Sequence, residues 1–190
     1  MFRRIFGTDN TQAADTAEAA LTNAETASGD TATVRRIVAK LEAMPPERAR
    51  LVASAAYTLA RAANADMDIS ADEIAIIEKE LQERAGLDEA TAVLIAEMAK
   101  LQAHTVGGTE DYVVTREFAA LATDEQKHAM LRGCFVISAA NGTISAEEST
   151  EVNQIAMELD IPAETVNEIR AEFHERLSSV QEVRRIAGQG

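Results

Sequence analysis

Two stretches of this sequence set carboxylates beside a hydroxyl at matching places. Ala65-Asp66-Met67-Asp68-Ile69-Ser70-Ala71-Asp72-Glu73 and Ala140-Asn141-Gly142-Thr143-Ile144-Ser145-Ala146-Glu147-Glu148 lie 75 positions apart, agree at five positions, and differ at two more only by Asp/Asn or Asp/Glu exchange. Hard divalent cations take oxygen ligands, and Asp66 and Asp68 offer two carboxylates from alternate loop positions, with Glu73 one turn into the next element. The spacing is not that of an EF-hand. With Asp66 as position one, the sixth residue is Ala71 where that loop needs Gly, and the twelfth is Ile77 where it needs a bidentate Glu. A second use competes for the same side chains. Ser70-x-x-Glu73 and Ser145-x-x-Glu148 are capping boxes, in which the hydroxyl accepts from a free helix N–H and the acid reaches back to the cap residue. Acids also suit the positive end of a helix. Capping accounts for Glu73 and Glu148 but not for Asp66 and Asp68, which precede the box and are the better metal candidates.

The other reactive residue types form no such pattern. His104, His128 and His174 have no partner at i+3 or i+4, so they read as surface or helix-face residues. Cys134, the one cysteine, falls in an apolar helical stripe without a Cys/His/Asp set and reads as a buried structural thiol. Gly107-Gly108 lacks the strand and the Lys of a phosphate loop and reads as a hinge. No acid/base pair, nucleophile motif or cofactor fingerprint is present, so neither an enzyme nor an organic cofactor is expected.

The elements that must position these residues follow from composition. The chain has 190 residues and a net charge of −14, with aromatic content of 4%, no Trp, three Pro and nine Gly. Strands need β-branched and aromatic residues punctuated by turns, so the expected class is all-α. Alanine supplies 37 residues against 42 for Leu, Ile, Val and Phe together, so the core is built from small side chains. Residues 8–33 hold five acids, no bases and a single large apolar residue, Leu21. Such a segment cannot bury enough surface to offset chain entropy, so residues 1–33 are expected to be a disordered acidic Ala/Thr-rich tail, led by a short apolar end at Phe2, Ile5 and Phe6. Residues 34–190 are expected to be one helical domain. Short helices are predicted over about 34–43, 46–64, 70–86, 88–106, 110–121, 123–140 and 145–160, and a longer last one carries Val166, Ile169, Phe173, Leu177 and Val180 as a stripe. Thr123 and Gln126 form a third capping box. Val113, Val114 and Phe118 are expected to face inward, and the methionines at 44, 67, 98, 130 and 157 to be mostly core filler.

The surface charge excludes some partners. A strongly acidic domain repels the phosphate backbone that dominates nucleic-acid affinity, and it disfavours anionic membrane surfaces. No apolar run reaches the 18 to 20 residues of a membrane span, and the first residues lack the apolar stretch and cleavage site of a signal peptide. The cytoplasm is therefore the expected location.

The two segments, each following an Ala-rich helix and opening a capped amphipathic one, with Thr91 and Thr165 in matching places beyond, make two related helix-loop-helix units. An antiparallel pairing of the units would bring the two loops together. The pattern Ala-Asp-Gly-x-Ile-Ser-x-x-Glu, twice in a small acidic helical protein, resembles the tellurite-resistance TerB family, whose domain also stands beside a J-domain in DjlA-type co-chaperones. The resemblance covers about residues 35–175. It implies a compact all-α bundle of about seven helices and a non-enzymatic module of a tellurite or general stress response. It also implies weak binding of a divalent cation, Ca²⁺, Mg²⁺ or Mn²⁺, by Asp66, Asp68 and Glu73, with Asn141 and Glu148 from the second loop. Met67 stands where the family has Gly and Asn141 where it has Asp, which lowers the cation affinity expected of the second loop. The partners implied are other proteins, membrane-associated stress-response components among them, with the inner-membrane periphery as part of the location. A metal-independent helical adaptor of co-chaperone type is the alternative. Tellurite itself is a poor ligand, because a dianion would approach a strongly negative domain with no basic pocket.

Overall fold

The structure, a computed structural model, describes residues 32–63, 69–102, 111–139 and 142–187. The predicted ligands Asp66, Asp68 and Asn141 lie outside the described residues, as do His104, Met67, Gly107-Gly108 and the tail up to residue 31. The chain divides between Met44 and Pro45 into two units. In the first, helix α1 covers residues 32–42. The second holds α2 Pro46–Ala62, α3 Ala71–Glu83, α4 Glu89–Gln102, α5 Asp111–Leu121, α6 Asp124–Ser138, α7 Ala146–Glu158 and α8 Ala163–Glu172, then a 3₁₀ turn His174–Arg176 and α9 Ser178–Ala187. The class is all-α, and among the described residues β-structure is limited to one bridge between Ile144 and Leu177.

The helix boundaries follow local chemistry. Pro45 is extended and Pro46 opens α2, where its missing N–H costs nothing. All three capping boxes form: Ser70, Thr123 and Ser145 accept from the backbone N–H of Glu73, Gln126 and Glu148 at 3.3, 3.3 and 3.1 Å. Each partner side chain accepts in return from the cap residue's N–H, at 2.7, 3.0 and 2.8 Å. Past the end of α3, Gly86 takes φ +63, a conformation that a side chain resists, and the Leu87 N–H reaches back to the Leu81 carbonyl at 3.1 Å.

Helix α2 is the hub, and α4, α5, α6 and α7 pack against it. Its Ala55, Ala56, Leu59, Ala60 and Ala63 are almost fully buried, and such small residues let helix axes approach closely. At Gly133 of α6 the approach is so tight that a Cβ would stand 2.8 Å from Leu59 Cδ2. The Phe135 and Phe173 rings stack at 5.1 Å and tie α6 to the end of α8.

The two units of the repeat are α2-α3-α4 and α6-α7-α8. Their middle helices bridge the units: α3 packs on α4 of its own unit and on α6 of the other, and α7 on α6 of its own and on α2 of the other, while α4 returns to α2 and α8 to α6. The repeated Ile of each loop is an anchor, with Ile69 2% and Ile144 1% exposed. Burying each such side chain contributes about 1.5–3 kcal/mol.

Three expectations are corrected. Val113 is exposed, and beside the expected Phe118 α5 buries Thr115 and Ala119. Met157 is 70% exposed, unlike Met98 and Met130, which are core. The long last helix is two helices, because the backbone at Leu177 is extended and pairs with Ile144.

Candidate functional site

The boxed acids of the two loops are both nearly buried, Glu73 at 8% and Glu148 at 7% exposure. In each, Oε2 is occupied by the N–H of the cap serine. They differ at the other oxygen: Glu148 Oε1 is buried and has no hydrogen-bond partner among the described residues. A buried carboxylate oxygen without a donor costs about 1–3 kcal/mol, so a cation or water at that atom would relieve it.

Glu73 lies in a cleft of about 500 Å³ between the start of α3, the end of α6 and the α8–3₁₀ junction. Asp72, Glu73, Glu172 and Glu175 give this cleft its acidity, and Arg176 is its one cation among the described lining residues. Glu172 is paired with Arg132 at 2.9 Å, and Glu175 is paired with Arg184. Ser70, Ile76, Val136 and Phe173 complete the wall together with Ala139, the last described residue before the second loop. The packing of α3 on α6 thus brings the capped edge of the first loop and the end of α6, where Ala139 precedes the second loop, onto one cleft. The loop residues Asp66, Asp68 and Asn141, whose convergence the paired units would imply, lie outside the described residues.

A clasp holds the second loop from behind. The Ile144 N–H donates to the Arg176 carbonyl at 2.7 Å, and the Ser178 N–H donates to the Ile144 carbonyl at 3.0 Å. The Gln181 amide donates to the Gly142 carbonyl at 3.1 Å and accepts from the Thr143 hydroxyl at 2.8 Å. Gly142 itself is at φ +92, so the glycine of this loop is needed for its turn.

The donor set fits a hard cation in kind and falls short in number. Glu148 Oε1 is an oxygen ligand with nothing else to do, whereas Glu73 and the second oxygen of Glu148 are already committed to capping. Among the described residues no three or more His, Cys, Asp or Glu stand close enough to hold an ion. A site of useful affinity would need Asp66 and Asp68. Of the histidines, His128 is half-buried on α6 and His174 is exposed in the 3₁₀ turn. Burial pushes the Cys134 thiol up to about 12, so it stays protonated and unreactive at neutral pH.

The sequence reading missed a buried charge network. Arg61 of α2 donates from Nη1 to Glu158 Oε2 at 2.5 Å and to the Thr115 hydroxyl at 2.6 Å, and from Nη2 to Glu151 Oε1 at 2.7 Å. The side chains of Arg61 and Glu158 are 2% and 5% exposed. Burial lowers the Arg61 pKa, yet the hydrogen bonds of Glu158 and Glu151 overcome this and hold it above the ordinary value. The signal was present: Ser54, Thr58 and Arg61, at helical spacing in an alanine-rich helix, are a polar stripe, and all three are buried.

The family model for the tellurite resistance protein TerB matches residues 52–171, from the first buried residue of α2 to the last turn of α8, and leaves out α1 and α9. No curated protein and no solved structure matches the chain. The match takes in both loops, all three capping boxes and the Arg61 network, and by it the chain belongs to the TerB tellurite-resistance family.

Proposed function

We propose that the chain is a non-enzymatic cytoplasmic module of a tellurite or general chemical-stress response, which binds a divalent cation weakly at its acidic loops and acts through protein–protein contacts. The observation that carries the cation part is Glu148 Oε1, a buried carboxylate oxygen with no protein donor, at the helix start that follows the second loop. The acidic cleft in which Glu73 lies supports it further, since Asp72, Glu172 and Glu175 line the same space. Few ligands per loop make the affinity weak, well short of the six to eight oxygens of a tight Ca²⁺ site. The contact role rests on family membership and on the exposed apolar side chains of Tyr112, Val113, Met157, Val183 and Ile186. Among the described residues no helix is long and apolar enough to cross a membrane.

Calorimetric titration of the chelator-treated protein with Ca²⁺, Mg²⁺ and Mn²⁺ tests the cation part. Binding that is lost when Asp66→Ala and Asp68→Ala are combined, and weakened by Glu148→Gln, is the expected result. No heat at millimolar cation, or heat indifferent to those substitutions, removes the metal. It would leave a metal-independent helical adaptor, the reading favoured by the full engagement of Ser70 and Ser145 with their boxed acids.

A further inference from the structure

Helices α7 and α8 leave between them a cleft of about 190 Å³, whose floor is Ala156, Ile161 and Val166. Those three are 2%, 8% and 8% exposed, and the exposed Met157 stands at the rim. Arg170 closes one side. Its Nη1 donates to Asn167 Oδ1 at 2.9 Å, its Nη2 donates to Asn153 Oδ1, and its Nε is buried with no partner among the described residues. Eight other described arginines, Arg61 and Arg132 among them, lie within ion-pair distance of a carboxylate. For Arg170 no carboxylate partner is found among the described residues, in a chain with 32 acids. Its charge is held in place by two neutral amides.

A guanidinium can only donate, so both amides must turn oxygen toward it and keep their NH₂ groups as further donors. The polar wall of the cleft therefore carries donors: the Arg170 guanidinium and the NH₂ groups of Asn153 and Asn167. That is the complement of an anion, and planar guanidinium suits a carboxylate. The apolar floor asks for an aliphatic body attached to it. The volume is below the 300 Å³ or so of a typical small-molecule site and holds about one side chain. Because the net charge of −14 repels anions at a distance, a single carboxylate on an apolar residue fits better than an acidic run.

We propose that the α7–α8 cleft binds the C-terminal residue of a partner polypeptide, its aliphatic side chain on the Ala156–Val166 floor and its α-carboxylate on Arg170. The open end of the cleft lets the rest of the partner chain leave, which a free small acid does not need. The proposal names a partner chemistry for the contact role above and is independent of the cation, so its test runs in chelator.

An acetylated tetrapeptide ending in leucine with a free carboxylate, the same peptide as its C-terminal amide, and isovalerate are titrated into the full-length ¹⁵N-labelled protein. The carboxylate peptide is expected to shift the amide signals of Ala156, Met157, Val166 and Arg170 and to bind at least tenfold more tightly than the amide and several-fold more tightly than isovalerate. Asn153→Asp supplies Arg170 with an internal carboxylate of the same shape, and should weaken the peptide at least tenfold without lowering the thermal midpoint. Asn167→Asp is the substitute should the first variant not fold. Equal binding of peptide and amide, isovalerate binding as tightly as the peptide, no shifts at millimolar peptide, or full binding by the Asp variants would each overturn the proposal. Cation binding measured on the same variants stays unchanged, which keeps this outcome separate from that of the loops.

Discussion

Replacing Arg61 by Met, a side chain of similar volume, removes the cation at the centre of the α2–α5–α7 network and leaves four acceptors behind. Glu158, 5% exposed, can recover little solvation, whereas Glu151, 38% exposed, can turn to water. The Thr115 hydroxyl and the Asp111 carbonyl, which accept from Nη1 at 2.6 and 3.2 Å, lose a donor as well. Breaking a buried pair on one side typically costs about 3–5 kcal/mol, most of it the stranded charge. For a domain of this size that lowers the thermal midpoint by roughly 10 °C. Glu158→Met alone should cost a comparable amount, since it strands the guanidinium against Glu151 only. The double variant Arg61→Met with Glu158→Met removes both buried charges, and two apolar side chains of matching volume often do as well as the ion pair they replace. It should therefore lie within about 1–2 kcal/mol of the parent, giving a coupling of at least about 3 kcal/mol in a double-mutant cycle. Urea denaturation followed by circular dichroism at 222 nm gives all four stabilities. Additive losses in the double variant, or a cost below about 1 kcal/mol for Arg61→Met, would refute the reasoning that a stranded buried charge sets the magnitude.

Three smaller perturbations test other parts of the structure. Cys134, with its thiol pushed up to about 12, should resist thiol reagents at pH 8 and react only at the rate of global unfolding; fast labelling of native protein would contradict its burial. The Asp88 carboxyl is held below its ordinary value by the Thr91 hydroxyl and backbone N–H, with Arg48 adding to them. Its contribution is therefore present above the unfolded value near 3.8 and lost as pH falls through the lower folded one. Asp88→Asn should cost under about 1 kcal/mol at pH 7, and the difference should close in acid; a gap that widens in acid would reverse the sign. Gly133→Ala gains helix propensity of up to about 1 kcal/mol but drives a Cβ into the fully buried Leu59, so net destabilisation of about 1 kcal/mol is expected in the same urea assay, and a stabilised variant would show that Leu59 can move.

The helices were legible because their ends carry explicit chemistry. Ser70, Thr123 and Ser145 with their boxed acids, Pro46, and Gly86 each mark a boundary through local hydrogen bonds or a fixed φ, and those signals do not depend on distant residues. The apolar stripes of α3, α4, α6 and α7 were legible for the same reason. What failed was decided at long range. The stripe from Val166 to Val180 has unbroken helical periodicity, yet the backbone on either side of Leu177 leaves the helix to bond with Ile144, a bridge partner 33 positions from Leu177 that periodicity cannot reveal. Val113 was assigned inward by its type, but α5 is short and only the face of Thr115, Phe118 and Ala119 is covered. At the candidate site, the residue types and the two capping boxes could be read from the repeat. The engagement of Glu73 and Glu148 by their own caps, and the free oxygen of Glu148, could not, because both depend on what packs over the helix start.

The packing of α7 on α2 also bears on synthesis. Arg61 and its buried partner Glu158 are separated by 97 positions, so Arg61 leaves the ribosome long before the acid that neutralises it. At about 5–20 residues per second the gap is roughly 5–20 s, during which α2 can gather α4 and α5 but cannot close over its own charge. The nascent first half is thus an open intermediate, and its vulnerable period ends only when α7 has been translated.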